Sequence, residues 1–419
     1  MKKERILTNV EPVDVFGYFE DLTFIPRESG NEKEVSDYLV SFAKEHGLEW
    51  HQDDYYNVLI RKPATPGYED HPGVIMQAHM DMVCEKNRDV EHDFAKDPIF
   101  FEIEDDKIIA KETSLGADDG IGVAFCLAAL ADENLKHPAI EFVCTTDEER
   151  GMSGIENFDF SQLKGENVIN IDSDDEGIIV VGCAGGPVVR VELPIKKAPA
   201  DKDKAYYEIT LRGLLGGHSG EDIHRGRANS NKLLVRVLMA VHNEIGFDLA
   251  DISGGLKYNA IPRNAECLIA IDKKDEAALK DIIKKYSDIF ADEYRVNDPD
   301  IALSCEAAEA ADTILDEESK MRVLDYMNFS ETGIVRWDQD YPQFVESSVS
   351  LGVVSIKESV AEIWVMTRSS KESQYELMYE KIVRLTEHMG GTYEVMSNCP
   401  AWEYDHSSKL KLKIGRAHV

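Results

Sequence analysis

The stretch VIMQAHMDMV, Val74 to Val83, opens as a buried strand and closes on two polar groups. Val74, Ile75 and Met76 form an unbroken apolar run suited to the interior of a parallel sheet. His79 and Asp81 then follow at i, i+2 spacing, which puts both on one face of an extended chain. A lone histidine there is ordinarily a satisfied core residue. The reading turns on whether other segments bring partners to the same edge.

Three other segments do. GADDG (Gly116 to Gly120) sets Asp118 and Asp119 just ahead of an apolar helix at 121–132, where a single Asp would merely cap the helix. IEFVCTTDEE carries a strand at 140–144 into Glu148 and Glu149, and NVINID carries another at 168–171 into Asp172. Adjacent glutamates are usually solvated loop acids, and DSDDEG (Asp172 to Gly177) resembles a calcium loop without its distal Glu. Taken together these dull readings fail, because sites in open α/β sheets form at the carboxyl ends of strands and four segments deliver there one His and several acids. Carboxylates so clustered repel one another unless a cation sits among them. One imidazole with hard oxygen ligands suits zinc, manganese or cobalt. A carboxylate bridging two such ions ~3.5–4 Å apart fits better than a single ion. The Glu148–Glu149 pair then offers a further ligand and a separate base, and Asp81 would orient the His79 ring from behind.

Around this constellation the chain reads as two domains, the natural expectation for 419 residues. A helix is expected over 31–47, with Asn31 and Glu34 in a capping pattern. Short apolar strands then alternate with helices, and the 121–132 helix is apolar all round, hence expected to be buried. This is an α/β pattern with a mainly parallel sheet. After VGCAGGP (Val181 to Pro187) the strands alternate apolar and polar, with polar-faced helices at 276–290 and 371–389, an α+β pattern. The expected division is a catalytic α/β domain at 1–186, an inserted α+β lid at 187–397, a return to the first domain at 398–413, and a non-native tail at 414–419. No internal repeat is visible in the residues.

The composition excludes some partners. With 46 basic and 80 acidic residues the net charge is −34, which repels nucleic-acid backbones and anionic membranes. The N-terminus lacks the apolar core of a signal peptide, and no apolar run reaches the ~20 residues a membrane helix needs. Seven scattered cysteines fit reduced thiols in a cytoplasm.

QAHMD, LGADDGIG, TTDEERGMSG, NIDSDDEG and GCAGG together resemble the aminoacyl-histidine dipeptidases. These are co-catalytic zinc peptidases related to carboxypeptidase G, aminoacylase and peptidase T. The likeness continues through LIRKPATPG, DFAKDPI, GGHSGEDIHRGRANSNKLL and NAIPRNA, so it spans nearly the whole chain. The resemblance implies metal-dependent hydrolysis of dipeptides, preferentially Xaa-His, with His79 and Asp172 on one metal, Asp118 bridging and Glu149 on the second. It makes Glu148 the general base, which takes a proton from the attacking water and passes it to the leaving amine. It assigns His218 to oxyanion stabilisation, Asn259 to substrate contact and Arg368 to a substrate carboxylate, and implies a homodimer through the lid. Related readings are a tripeptidase or N-acyl-amino-acid deacylase and, from another class, a non-catalytic metal-binding relative.

The resemblance also implies one more histidine ligand, in a segment beyond Pro400 to Leu410, and the chain stops nine residues after Leu410. His406 comes too early, and His418 lies in IGRAHV (Ile414 to Val419), which reads like a translated sequencing adapter. The expectation is a truncated sequence, and a 419-residue chain with little activity of its own.

Overall fold

Residues 5–173 and 177–417 are described by a computed structural model, the last three of them by backbone alone. The chain divides into two units, 1–179 and 180–419.

In the first unit, α1 (Val13–Thr23) and α2 (Lys33–Glu45) precede β1 (Glu49–Gln52) and β2 (Val58–Lys62). Helix α2 buries Val35, Leu39, Val40, Phe42 and Ala43, one stripe at helical spacing. It starts at Lys33, and Asn31 does not cap it. Glu32 sits at the cap position and turns its carboxylate to the amides of Gly30 (2.8 Å) and Asp147 (3.1 Å) instead. The apolar segments met in the sequence become β3 (Val74–His79), α3 (Ala117–Ala131), β4 (Ile140–Thr145) and β5 (Asn167–Asn170). The sheet order is β1-β2-β4-β3-β5. Pairing is parallel across β4, β3 and β5 and antiparallel where β1 and β2 extend the edge. Buried residues of α2 and α3 pack with those of β2, β3 and β4 in one apolar cluster. Helix α3 is less enclosed than its composition suggests: Phe125 is 47% exposed, because only the face bearing Val123, Cys126, Leu127 and Leu130 meets that cluster.

The second unit holds β6 (Gly186–Pro194), β7 (Ala205–Arg212), α4 (Ser230–Glu244), β8 (Asp248–Gly254) and β9 (Ala265–Ile271). It continues with α5 (Glu276–Glu293), β10 (Ala302–Ala307), α6 (Glu317–Phe329), β11 (Val345–Ile356), β12 (Val360–Ser369), α7 (Glu372–His388) and β13 (Thr392–Cys399). Its main sheet runs β10-β7-β9-β8-β11-β12-β6-β13, with strand Gly333–Trp337 also paired to β11. All these pairings are antiparallel. Along β12 burial alternates residue by residue, as the apolar–polar pattern requires.

A repeat that the residues do not reveal appears in the topology. Elements β7-α4-β8-β9-α5-β10 form a βαββαβ unit with strand order β8-β9-β7-β10. Elements β6-α6-β11-β12-α7-β13 form a second with the equivalent order β11-β12-β6-β13, and the first is nested within it. The copies join through their equivalent strands, Ser253 opposite Ser355 and Gly254 opposite Val354.

The division at 179/180 falls before the expected 186/187, and residues 398–413 group with the second unit. Main-chain pairing explains this. Cys183 and Trp402 exchange hydrogen bonds at 3.0 and 3.1 Å, Gly185 pairs with Ser369, and β13 pairs with β6 from Gly186 to Glu192.

Candidate metal centre

Three neighbouring parallel strands end where the acids begin. Strand β3 finishes on His79, which is 1% exposed, and Asp81 follows two residues later at 0%. Strand β4 runs into Asp147, whose positive φ of 57° turns the chain so that Glu148 and Glu149 come back toward β3. Asp172 follows β5, and Asp118 and Asp119 open α3.

The side chains converge on His79. Its Nε2 lies 3.0 Å from Asp118 Oδ1 and 4.0 Å from Glu148 Oε2. Its Nδ1 is 3.3 Å from Asp81 Oδ1, without hydrogen-bond geometry. Two potential ligand groups share the ring, each with its donor atoms within 4.8 Å: His79–Asp118–Asp172 and His79–Glu148–Glu149. Asp81 does not join either group. Its two oxygens accept the amides of Glu148 (3.1 Å) and Glu149 (3.2 Å), and Ser29 Oγ donates to it at 2.7 Å.

The electrostatics describe a site with too much negative charge for its surroundings. Burial pushes the Asp119 carboxyl up to about 8, with Asp172 adding to the effect and His79 opposing it. Burial likewise raises Glu148, helped by Asp172 and Glu149, and raises Glu149, helped by Asp118. Burial alone would lower His79, but Asp81, Asp119 and Asp172 outweigh it and lift the imidazole to about 9. Asp81 also suffers burial, yet its contacts with His79, Ser29 and the Glu148 amide hold it below the usual carboxylate value. In the absence of a metal, protons on His79 and Asp119 offset part of this charge. A divalent ion would replace them, and the donor set of one imidazole and several carboxylate oxygens fits such an ion.

The structure separates the two aspartates of GADDG and adds residues that carry no motif of their own. Asp119 is 2% exposed and accepts the His79 amide at 3.1 Å, so of the two aspartates the first faces the ligand groups and the second anchors the strand end. Arg27, Ser29 and Glu32, in the loop between α1 and α2, hydrogen-bond to the same segments. Their only signal in the sequence is an Arg, a Ser and a Glu in a short loop between two helices.

In the second unit the structure brings His218, Asn259 and Arg368 together. His218 pairs with Ala260 in a two-residue ladder, and the Ser219 amide donates to the Asn259 carbonyl at 2.8 Å. Arg368, on β12, places Nη2 3.3 Å from His218 Nε2, while the Glu221 amide lies 3.2 Å from His218 Nδ1. A neutral imidazole has one acceptor nitrogen, so it cannot satisfy both donors at once. Arg368 Nε is buried without a partner, and burial lowers this guanidinium. His406 also lies in the second unit, 3.3 Å from Asp340 and stacked on Tyr341. His418, like Asp174, Asp175 and Glu176 of the DSDDEG stretch, is outside the described residues.

Comparison with known proteins places the chain in a family. Over 404 residues the chain is 36% identical to the cytosol non-specific dipeptidase of Escherichia coli (strain K12), spanning 96% of this chain and 83% of that protein. The chain belongs to the M20 peptidase family. The crystal structure of aminoacylhistidine dipeptidase from Vibrio alginolyticus matches at a TM-score of 0.91 and 34% identity, over 98% of this chain and 84% of that one. A weaker likeness, 27% over 207 residues, links it to the uncharacterized protein YqjE of Bacillus subtilis (strain 168), over 46% of this chain and 53% of that protein.

As an M20 peptidase the chain is a hydrolase of peptide bonds. The family's peptidase dimerisation domain matches residues 209–298, which is the inner βαββαβ copy from within β7 to just before β10. All seven cysteines are free thiols, and among the described residues no helix is long and apolar enough to cross a membrane.

Proposed function

We propose that this M20 peptidase is a cytoplasmic, metal-dependent dipeptidase, acting preferentially on Xaa-His dipeptides and assembling as a homodimer through the second unit. The observation that carries the chemistry is the single buried imidazole shared by two carboxylate groups at the ends of adjacent parallel strands. His79, Asp118 and Asp172 would hold one divalent ion, with Asp118 shared and Glu149 on a second, zinc being the best fit and manganese or cobalt also suited. Such ions supply Lewis acidity to the scissile carbonyl and to the attacking water.

The chain's own residues do the rest. Glu148 is half-buried with a raised carboxyl, so it is a stronger base than a solvated glutamate and can take the water's proton and return it to the leaving amine. Asp81 is a positioning residue. It fixes the Glu148 and Glu149 amides and faces the inner side of the His79 ring. In the second unit, the part-buried Arg368, its Nε–H unpartnered, would take a substrate carboxylate. His218 stabilises a developing oxyanion, and Asn259 contacts the substrate. The first unit is the catalytic domain and the second the lid.

Elemental analysis of protein equilibrated with zinc or manganese and then desalted tests this reading. At least one bound equivalent per chain is expected; a chain that retains none refutes it. Hydrolysis of Ala-His faster than of N-acetyl-His is expected for a dipeptidase, and the reverse ranking would favour a deacylase.

A further inference from the structure

The loop between α1 and α2 contains a buried cation that the proposed chemistry does not use. Arg27 is 2% exposed, and burial lowers its guanidinium to about 10, which still leaves it charged at neutral pH. Among the described residues its hydrogen bonds all go to main-chain carbonyls. They reach Met80 O at 3.1 Å, Asp81 O at 3.0 Å and Gly116 O. The first two belong to the residues directly after His79, and the third to the turn directly before Asp118. Asp81 and Asp119 offset part of the cost of burying this charge, yet the guanidinium spends its hydrogen bonds on main-chain carbonyls of two loops, which points to a positional role.

The glycines of the GADDG turn fit this reading. Gly116 has φ of +71°, and a Cβ there would collide with the Arg27 guanidinium and with Met82. A Cβ on Gly120 would stand 2.7 Å from Arg27 Nη2. The turn that presents Asp118 is therefore moulded around the arginine. The same loop grips the third segment. Ser29 Oγ holds Asp81 Oδ2 at 2.7 Å, the Asp81 oxygens hold the Glu148 and Glu149 amides, and Glu32 holds the Asp147 amide. The Met82 amide also donates to the Arg27 carbonyl at 3.2 Å, closing the brace onto the β3 exit.

We infer that segment 27–32 is a positioning brace, in which Arg27 and Ser29 hold the His79, Asp118 and Glu148–Glu149 segments at the mutual distances that metal binding needs. The inference rests on the metal-site reading above. Arg27 sets the spacing of the β3 exit from the α3 turn, and Ser29, through Asp81, sets that of the 147–149 turn. Lysine at position 27 keeps the charge but presents one nitrogen where the guanidinium spans two loops.

The test uses the full chain and the variants Arg27→Lys and Ser29→Ala, with zinc as the probe. Metal-free protein is followed by amide hydrogen exchange, and zinc affinity is measured by competition with a chromophoric chelator. Weakening of zinc binding by about 10-fold or more is expected in each variant. Exchange should quicken at 80–82 and 115–120 in Arg27→Lys, and at 147–149 in Ser29→Ala, with the rest of the chain unchanged. If Arg27→Lys does not fold, Ser29→Ala decides by the same two readings. Zinc affinity and local exchange both at parental values in a folded variant would overturn the brace. A parent chain that binds no zinc counts against the metal-site reading instead, and exchange in the metal-free protein still decides the brace.

Discussion

Both units bury charged side chains that are satisfied locally, as Glu20 and Glu141 are in the first, but only the first also gathers several at one point. In the second unit the fully buried charges, Asp298, Lys320 and Glu346, are dispersed and each is satisfied on the spot. Asp298 accepts the amides of Leu215 and Ala228, both at 2.7 Å, Lys320 donates to Phe247 O at 2.7 Å, and Glu346 pairs with Arg336 at 3.1 Å. In the first unit Asp81, Asp119, Glu148 and Glu149 crowd around one imidazole, and three of the four have raised carboxyls. Burial of charge is therefore not by itself the mark of a site. Charge that converges without local compensation is, because only an added cation relieves it.

The largest expected effect tests that convergence. Glu148→Gln should lower kcat by roughly 10²–10⁴-fold, the usual worth of a general base, while bound zinc per chain stays unchanged. Loss of zinc together with rate would move Glu148 from base to ligand.

The dispersed pattern of the second unit predicts separability. Leu238 is 0% exposed in α4, and Leu238→Ala should cost about 2–5 kcal/mol in urea denaturation. Zinc stoichiometry should not change, and a loss of metal in this variant would break the comparison.

The uncompensated cluster also has a pH signature in chelator-treated protein. His79 holds its proton more tightly when folded, at about 9 against an ordinary 6.5. Its stabilisation is complete below pH 6.5 and is lost as pH rises through 9. Asp119, raised from 3.8 to about 8, acts in the same direction, since its ionisation in the folded chain is unfavourable. Metal-free protein should therefore lose on the order of 3 kcal/mol from His79 alone between pH 6.5 and pH 9, and added zinc should restore stability by neutralising the carboxylates once the protons have left. A melting temperature flat across that range would contradict the crowding.

The smallest effect falls in the second unit. Arg368→Ala should raise KM for Ala-His by about 10-fold, the order of one charge-assisted hydrogen bond, and leave zinc binding as it was. A change confined to kcat would place Arg368 with the oxyanion rather than with the substrate carboxylate.

Much of the first unit was legible in the residues because its strands are short, apolar and end in acids. His79, Glu148, Glu149 and Asp172 lie at strand ends that the apolar runs already mark, and Asp118 at a helix start. Arg27 and Ser29 were not legible, since an arginine in a loop reads as solvated until the fold closes over it. The nested repeat was hidden for a related reason. Its two copies share element order and strand order, while the inner copy interrupts the outer between β6 and α6.

The sequence by itself determined which side chains arrive at the sheet edge, because period-2 and period-3.6 patterns decide where each strand and helix stops. It also determined the sign of the surface, at −34. Only the tertiary structure decided which aspartate faces the ligand groups and which anchors β3, and that the pairing of Cys183 with Trp402 gathers residues 398–413 to the second unit. It alone decided that a buried guanidinium shapes the GADDG turn. Those outcomes depend on distances between segments far apart in the chain, and local pattern carries no information about them.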